Sequence, residues 1–129
     1  MPDLLDSAIK QLRDGHLVAI PTETVYGLAA DAKNVVAVNQ VFAAKGRPSG
    51  HPLIVHIANP TLPTMSSFES QNAWQEVLLS WSRDVSPQAL ALAQAFWPGP
   101  LTIILPKAKN VLLEVTGGQE TVGIRCPNH

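Results

Sequence analysis

The sequence contains a single cysteine, Cys126, so no disulfide can form within the chain. Small secreted domains usually depend on several disulfides, and nothing in this cysteine usage indicates secretion. The first residues lack the basic segment and apolar run of a signal peptide, and no apolar run approaches the ~20 residues needed to cross a bilayer. These absences predict a cytoplasmic protein that uses no membrane.

The chain also has little charge. Charged residues make up only 15% of the 129 residues, and the formal net charge is -1. Bulk charge therefore does not indicate a strongly basic nucleic-acid binder, although a local basic patch stays open. The apolar fraction of 46% is typical of a globular chain, and no long linker or repeat divides it. We predict one domain over residues 1–129.

Three common site signatures are missing. The sequence has neither of the two glycine-rich phosphate loops, Gly-x-x-x-x-Gly-Lys-Ser/Thr and Gly-x-Gly-x-x-Gly. It has no arrangement that resembles a Ser-His-Asp triad. His51 and His56 are five residues apart, which sends their side chains to opposite faces of an extended chain. We therefore predict no metal site, and His56 alone is typical of a core or rim histidine.

Apolar periodicity predicts alternating helices and strands. Helices are expected over 4–12, from an Asn34 cap to Gly46, over 74–81 and after Ser86-Pro87. Short apolar runs predict strands at 17–20, 53–57, 101–105, 111–115 and 121–125, the last two joined by a turn at Gly117-Gly118. The alternation favours an α/β or α+β fold with a mixed sheet.

Polar side chains crowd the loop after the first predicted strand, where Thr22, Glu23, Thr24 and Tyr26 follow Pro21. Ligands gather at the carboxyl ends of strands in open α/β sheets, which favours a binding loop. A strand-to-loop junction whose hydroxyls satisfy one another explains the same pattern. Both alternatives stay open.

Two cations lie at the predicted exit of the second helix, Lys45 and Arg47 on either side of Gly46. Cations there complement the negative end of the helix dipole. They can equally clamp a phosphate or carboxylate, because the arginine fork binds such groups bidentately. The spacing alone does not decide between the two roles.

Successive side chains of the last predicted strand point to opposite faces of the sheet. Val122 and Ile124 share one face, and Thr121, Gly123 and Arg125 share the other. A hydroxyl, a bare backbone and a guanidinium in a row suit a bound anion. A solvated sheet face is the alternative.

Five motifs, in order along nearly the whole chain, resemble the YrdC/Sua5 family. They are Pro-Thr-Glu-Thr-Val-Tyr-Gly-Leu at 21–28, Lys-x-Arg at 45–47, Pro-Leu-Ile-Val-His at 52–56, Trp-Pro-Gly-Pro-Leu-Thr at 97–102 and Val-Gly-Ile-Arg-Cys-Pro at 122–127. The resemblance implies a twisted mixed sheet flanked by helices, with a concave ligand cavity. It also implies synthesis of threonylcarbamoyl-AMP from L-threonine, bicarbonate and ATP, normally with Mg²⁺. The product serves the N6-threonylcarbamoyladenosine (t6A) modification of tRNA, reached directly or through t6A-transfer proteins.

The resemblance implies a role for seven residues. They are Thr24, His56 and Arg125 around L-threonine, with Arg125 pairing its carboxylate; Lys45 and Arg47 as catalytic cations at the ATP phosphates and the carbamate; and His51 and Thr121 along the rest of ATP. The family domain continues further and carries a Ser-x-Asn motif, which does not follow Arg125 here. We therefore expect a domain that lacks its C-terminal part and is inactive alone, with a surface insertion over 59–87.

Two other functions stay open at this point. A non-catalytic relative could use the same concave surface to bind RNA, which the net charge of -1 disfavours only weakly. A carbamoyl-transferring relative of the hydrogenase-maturation type would carry acylphosphatase-like and zinc-finger segments, and this sequence has neither.

Overall fold

The helices and strands alternate in a mixed α/β arrangement. The computed structural model describes residues 2–21, 26–45 and 52–128. In chain order the elements are α1 Pro2–Arg13, β1 Val18–Pro21, β2 Tyr26–Ala29, α2 Val35–Lys45, β3 Ile54–His56, α3 Ser67–Leu79, α4 Pro87–Phe96, β4 Thr102–Pro106, α5 Leu113–Thr116 and β5 Thr121–Arg125. Within these ranges, no helix combines the length and the apolar character that crossing a bilayer requires.

Side-chain caps set the starts of three helices. The Asn34 Oδ1 accepts a hydrogen bond from the Ala37 N–H at 3.1 Å, so α2 begins where the cap predicts. Ser66 accepts from the Glu69 N–H, and the Glu69 carboxylate accepts from the Ser66 N–H, which completes a capping box for α3. Ser86 caps α4 with its hydroxyl. Each cap satisfies a backbone donor that the helix itself leaves unpaired.

The strands form two sheets. β1 and β2 pair antiparallel, and the larger sheet has the order β3-β5-β4. β5 is its central strand, parallel to β3 and antiparallel to β4. The register places Arg125 beside His56 on one side and beside Thr102 on the other. Both neighbours therefore lie on the same face of the sheet as Arg125.

One face of the larger sheet carries the core. Its inward residues are Val55, Ile103, Leu105, Val122 and Ile124, all buried. They join a cluster with the helix residues Val38, Phe42, Trp74, Leu78, Leu90 and Ala93. The ring centroids of Trp74 and Trp97 lie 5.5 Å apart at an interplanar angle of 54°. The alternation predicted for β5 is confirmed, and Cys126 is buried as a small apolar side chain.

The strand prediction for 111–115 is wrong, because this segment leads into the short helix α5. Val111 and Val115 are both buried, a spacing of four that a helical turn also satisfies. Gly117 ends the turn in the left-handed region at φ 62°, a common conformation just after a helix. A short apolar run does not by itself distinguish a buried helix from a strand.

The expectation of a surface insertion over 59–87 is also wrong. The helix α3 lies inside this segment and contributes Trp74 and Leu78 to the core, with 2% and 0% of their surfaces exposed. The segment is therefore part of the fold, because it supplies side chains to the hydrophobic core.

Trp74→Ala should lower the free energy of unfolding by about 3–5 kcal/mol, because it leaves a cavity in the core. The matched control is Phe68→Ala in the same helix, whose ring is 71% exposed, and its effect should stay within about 0.5 kcal/mol. Urea denaturation of both variants measures the two values. Equally small effects would restore the surface-insertion interpretation.

Candidate functional site

The face of the larger sheet opposite the core is open, and we call it the open face. Its residues are Ile54 and His56 from β3, Thr102 and Ile104 from β4, and Thr121, Gly123 and Arg125 from β5. Ile54 and Ile104 are 46% and 69% exposed, although both side chains are large and apolar. The open face thus combines apolar surface with a few polar groups, which is typical of a ligand site.

The polar groups concentrate in one row. His56 and Arg125 are the last residues of the two parallel strands, and Thr102 is the first residue of β4. The register aligns all three across the sheet. Directly opposed residues of an antiparallel pair have Cβ atoms about 4.5–5.5 Å apart, so one small ligand can contact neighbours in this row. The row stands where open α/β sheets commonly bind ligands.

A hydrogen bond fixes the role of each ring nitrogen in His56. Its Nδ1 lies 3.1 Å from the backbone oxygen of Ile54. A carbonyl oxygen only accepts, so Nδ1 carries the proton and donates it. In the neutral ring Nε2 is then an acceptor, and the side chain is exposed on the open face. His56 can therefore receive a hydrogen bond from an amino or hydroxyl group of a ligand.

Arg125 supplies a permanent positive charge to the row. The side chain is half-buried, and its Nε lies below the surface. A guanidinium stays charged at any pH a protein survives, and partial burial strengthens its attraction for an anion. Its planar fork matches a carboxylate or phosphate. The row therefore favours a ligand with one negative group.

Gly123 leaves a gap in the middle of the open face. A Cβ built there would lie 3.5 Å from Thr102 Cγ2 and 3.8 Å from Ile54 Cγ1, both ordinary contact distances. Its φ is not among the positive values found at other glycines. Neither backbone conformation nor packing requires a glycine here. Glycine inside a strand often marks a close approach by a ligand or another backbone.

The turn before β4 is tied to the end of β5. The Trp97 indole Nε1–H donates to the Leu101 carbonyl at 2.7 Å, and the Gly99 N–H donates to the Cys126 carbonyl at 2.8 Å. A Cβ on Gly99 would lie 2.5 Å from the Phe96 carbonyl oxygen, so glycine is required there. This motif holds the start of β4 against the end of β5.

A shallow pocket of about 370 Å³ lies past the carboxyl ends of β3 and β5. Its lining residues are Ile57, Ala58, Asn59, Pro98, Pro127 and Asn128. Of the predicted site residues that the structure describes fully, neither His56 nor Arg125 nor Thr121 lines it. The pocket adds space and two asparagine side chains beside the row, whereas the charge of Arg125 belongs to the row itself.

The structure brings together two of the seven predicted site residues, His56 and Arg125. Thr121 lies on the same face at the other end of β5, roughly 13 Å from Arg125 by the strand rise. Lys45 is the last residue of α2, and its side chain lies outside the described residues. The remaining predicted residues also lie outside them: Thr24, Arg47 and His51. Thr102 was missed because its place in the row depends on strand pairing, although it belongs to a quoted motif.

Metal ligands do not gather in the part of the chain that the structure describes. No group of three His, Cys, Asp or Glu side chains there is arranged to hold a metal ion.

Comparison with known proteins identifies the family. The model of the Sua5/YciO/YrdC family, described as telomere recombination, matches residues 10–129. The chain belongs to this family. It is 48% identical over 118 residues to the threonylcarbamoyl-AMP synthase of Pyrococcus abyssi and 46% identical over 119 residues to that of Bacillus subtilis. Each alignment covers 92% of the chain but 30% of the relative, so the chain spans about a third of the length of these proteins.

Solved structures of the family confirm the fold. The crystal structure of P. abyssi Sua5 complexed with L-threonine matches with a TM-score of 0.80 at 45% identity, covering 95% of this chain and 32% of that one. The solution structure of a Methanobacterium thermoautotrophicum protein matches with a TM-score of 0.72 at 30% identity, covering 99% and 54%. The expected mixed α/β fold of the Sua5/YrdC type is therefore confirmed.

Two glycine-to-alanine changes test the geometry of the site. Gly123→Ala should leave stability unchanged or raise it by up to about 1 kcal/mol, because the new methyl group has room and glycine is costly in a strand. Gly99→Ala should destabilise the fold by about 1–3 kcal/mol, because its Cβ meets a backbone oxygen. Thermal unfolding compares the two. If the Gly123 variant is as unstable as the Gly99 variant, the conclusion that a methyl group has room at Gly123 is wrong.

Proposed function

We propose that this chain provides the threonine-binding part of a threonylcarbamoyl-AMP synthase. The proposed reaction converts L-threonine, bicarbonate and ATP to threonylcarbamoyl-AMP and pyrophosphate, for t6A modification of tRNA. The observation that carries the proposal is the row of His56, Arg125 and Thr102 on the open face. The L-threonine complex of the P. abyssi relative and the names of the curated relatives support it.

The row matches an amino acid group by group. The Arg125 guanidinium pairs the carboxylate, since a charge-assisted pair is the strongest polar contact available there. The His56 Nε2 accepts a hydrogen bond from the amino or hydroxyl group of threonine, because Nδ1 is committed to the Ile54 carbonyl. Thr24, placed by resemblance to the family, is the third threonine-binding residue.

The chemistry joins two anionic groups and needs no protein nucleophile. The threonine amine and bicarbonate form a carbamate with loss of water. A carbamate oxygen then bonds to the α-phosphorus of ATP as the bond to the bridging oxygen breaks, and pyrophosphate leaves. Lys45 and Arg47 reduce the repulsion between the carbamate and the phosphates, while His51 and Thr121 line the nucleotide.

Mg²⁺ enters this scheme as part of the substrate. The described residues offer no acidic cluster that fits a resident ion. Magnesium commonly binds substrate phosphates and water with few protein ligands, so ATP can bring the ion with it.

The product of the proposed reaction, threonylcarbamoyl-AMP, is the donor for tRNA, either directly or through t6A-transfer proteins.

Arg125→Ala should weaken L-threonine binding by about 1.5–3 kcal/mol, the usual value of a hydrogen bond to a charged group. Arg125→Lys should recover only part of this loss, because an ammonium keeps the charge but loses the fork. Calorimetric titration of L-threonine into the chain measures the effect. The matched control is Arg83→Ala, which removes an exposed arginine that does not belong to the row.

The pattern of losses decides this prediction. Threonine affinity should fall in both Arg125 variants and stay unchanged in the Arg83 variant, while ATP affinity changes little in all three. Equal threonine affinity in the Arg125 and Arg83 variants would remove Arg125 from the site.

Neutralising Lys45 or Arg47 in the natural protein should lower the rate of adenylate formation while the fold survives. If these cations only balanced the helix dipole, their loss would remove about 0.3–1 kcal/mol of stability and leave the activity normal. Pyrophosphate release that depends on threonine and bicarbonate measures the rate, beside a melting curve for each variant. A non-catalytic RNA-binding protein would release no threonine-dependent pyrophosphate in any form.

A further inference from the structure

We propose that Thr102 is a further threonine-binding residue, whose hydroxyl donates a hydrogen bond to the carboxylate that Arg125 pairs. This inference rests on the proposed function, because it concerns the same amino acid site. The open face offers Arg125 two neighbours in its row, and only His56 was expected from the sequence.

The fold places Thr102 directly beside Arg125. The two residues are register partners in the antiparallel pair of β4 and β5. Thr102 is half-buried, and the next residue of its strand, Ile103, is buried in the core. Alternation therefore puts the Thr102 side chain on the open face, and opposed Cβ atoms lie about 4.5–5.5 Å apart.

The hydroxyl of Thr102 points away from the gap at Gly123. The methyl carbon Cγ2 lies 3.5 Å from the position that a Gly123 Cβ would take. A β-branched side chain is stiff about χ1, so the methyl and the hydroxyl occupy different staggered positions. With the methyl beside Gly123, the hydroxyl takes one of the other two positions.

The fold makes no use of the Thr102 hydroxyl within the described part of the chain, where no hydrogen bond of this group occurs. Thr116 provides the contrast. Its side chain is buried, and its hydroxyl donates to the Leu113 carbonyl at 3.2 Å. The Thr116 hydroxyl therefore serves the structure, whereas that of Thr102 is available to a ligand.

A carboxylate on Arg125 needs donors beyond the guanidinium. An ionised carboxylate offers about four lone-pair sites, and a bidentate arginine occupies two of them. Beside a half-buried arginine, water reaches the remaining sites less freely, and leaving them unpaired is costly. A hydroxyl one strand away can fill one of these sites, on the side opposite to His56.

Four variants isolate the hydroxyl from the shape of the side chain. Thr102→Val keeps the branched shape and removes the hydroxyl, while Thr102→Ser keeps the hydroxyl and removes the methyl. Thr102→Ala differs from Thr102→Ser by the hydroxyl alone, so this pair repeats the comparison if the valine variant does not fold. Thr116→Val is the control for loss of a structural threonine hydroxyl.

Calorimetric titration of L-threonine into the 129-residue chain should show binding weakened roughly ten- to hundredfold in the valine and alanine variants. The serine variant should stay close to wild type. L-Threoninamide, which lacks the negative carboxylate, should bind weakly to wild type and lose little further affinity in the valine variant. The Thr116 variant should melt at a lower temperature with near-normal threonine affinity once folded.

The outcomes separate this inference from the proposed function. Suppose that Arg125→Ala abolishes threonine binding, whereas Thr102→Val and Thr102→Ala keep a threonine affinity within about twofold of wild type. The proposed function then stands, and the role of Thr102 is overturned. An equal loss in the serine and alanine variants assigns the effect to packing and overturns it too. If the wild-type chain binds no threonine, both proposals fall together.

Discussion

The pairing of β5 with a strand on each side determines where the described side chains of the site lie. A shift of one residue in this register would turn Arg125 into the core and expose Ile124. Burying an unpaired guanidinium costs several kcal/mol, and exposing a large apolar side chain adds to this cost. The core residues Val122 and Ile124 therefore specify the position of Arg125 as strictly as they specify the fold. The site is a by-product of the correct packing on the other face.

The open face exposes more apolar side chain than is usual for a protein surface, but this is common in the wall of a binding site. Ile54 and Ile104 flank Gly123, two residues along β5 from Arg125, and both expose much of their apolar surface. Water solvates these exposed apolar side chains poorly, and exposed apolar patches often mark binding sites. The proposed ligand, an amino acid with a small side chain, would meet both features, its carboxylate at the guanidinium and its carbon skeleton over apolar surface. The surroundings of the charge thus favour the same ligand as the charge itself.

Local signals could be predicted from the sequence, whereas features that depend on pairing could not. The Asn34 and Ser86 caps and the alternation of β5 involve neighbours in the chain, so the sequence predicts them correctly. The sequence predicts a polar loop where β2 begins, because a four-residue strand becomes recognisable only beside its partner β1. Thr102 was missed for the same reason, since β4 and Arg125 meet only in the folded sheet. The roles of Thr24, Arg47 and His51 stay predictions from resemblance.

The end of α2 is consistent with a proposed phosphate site that uses cationic side chains rather than a glycine-rich loop. Phosphate loops place the anion at a helix N-terminus, where free N–H groups and the positive end of the dipole attract it. α2 ends at Lys45, so the chain approaches the proposed phosphate site from the negative end of a helix. Backbone groups there repel an anion, and the charge must come from side chains. If Lys45 and Arg47 bind the ATP phosphates as proposed, they must also offset the negative end of the helix dipole. Two closely spaced cations in a chain with few charges are in keeping with that proposal.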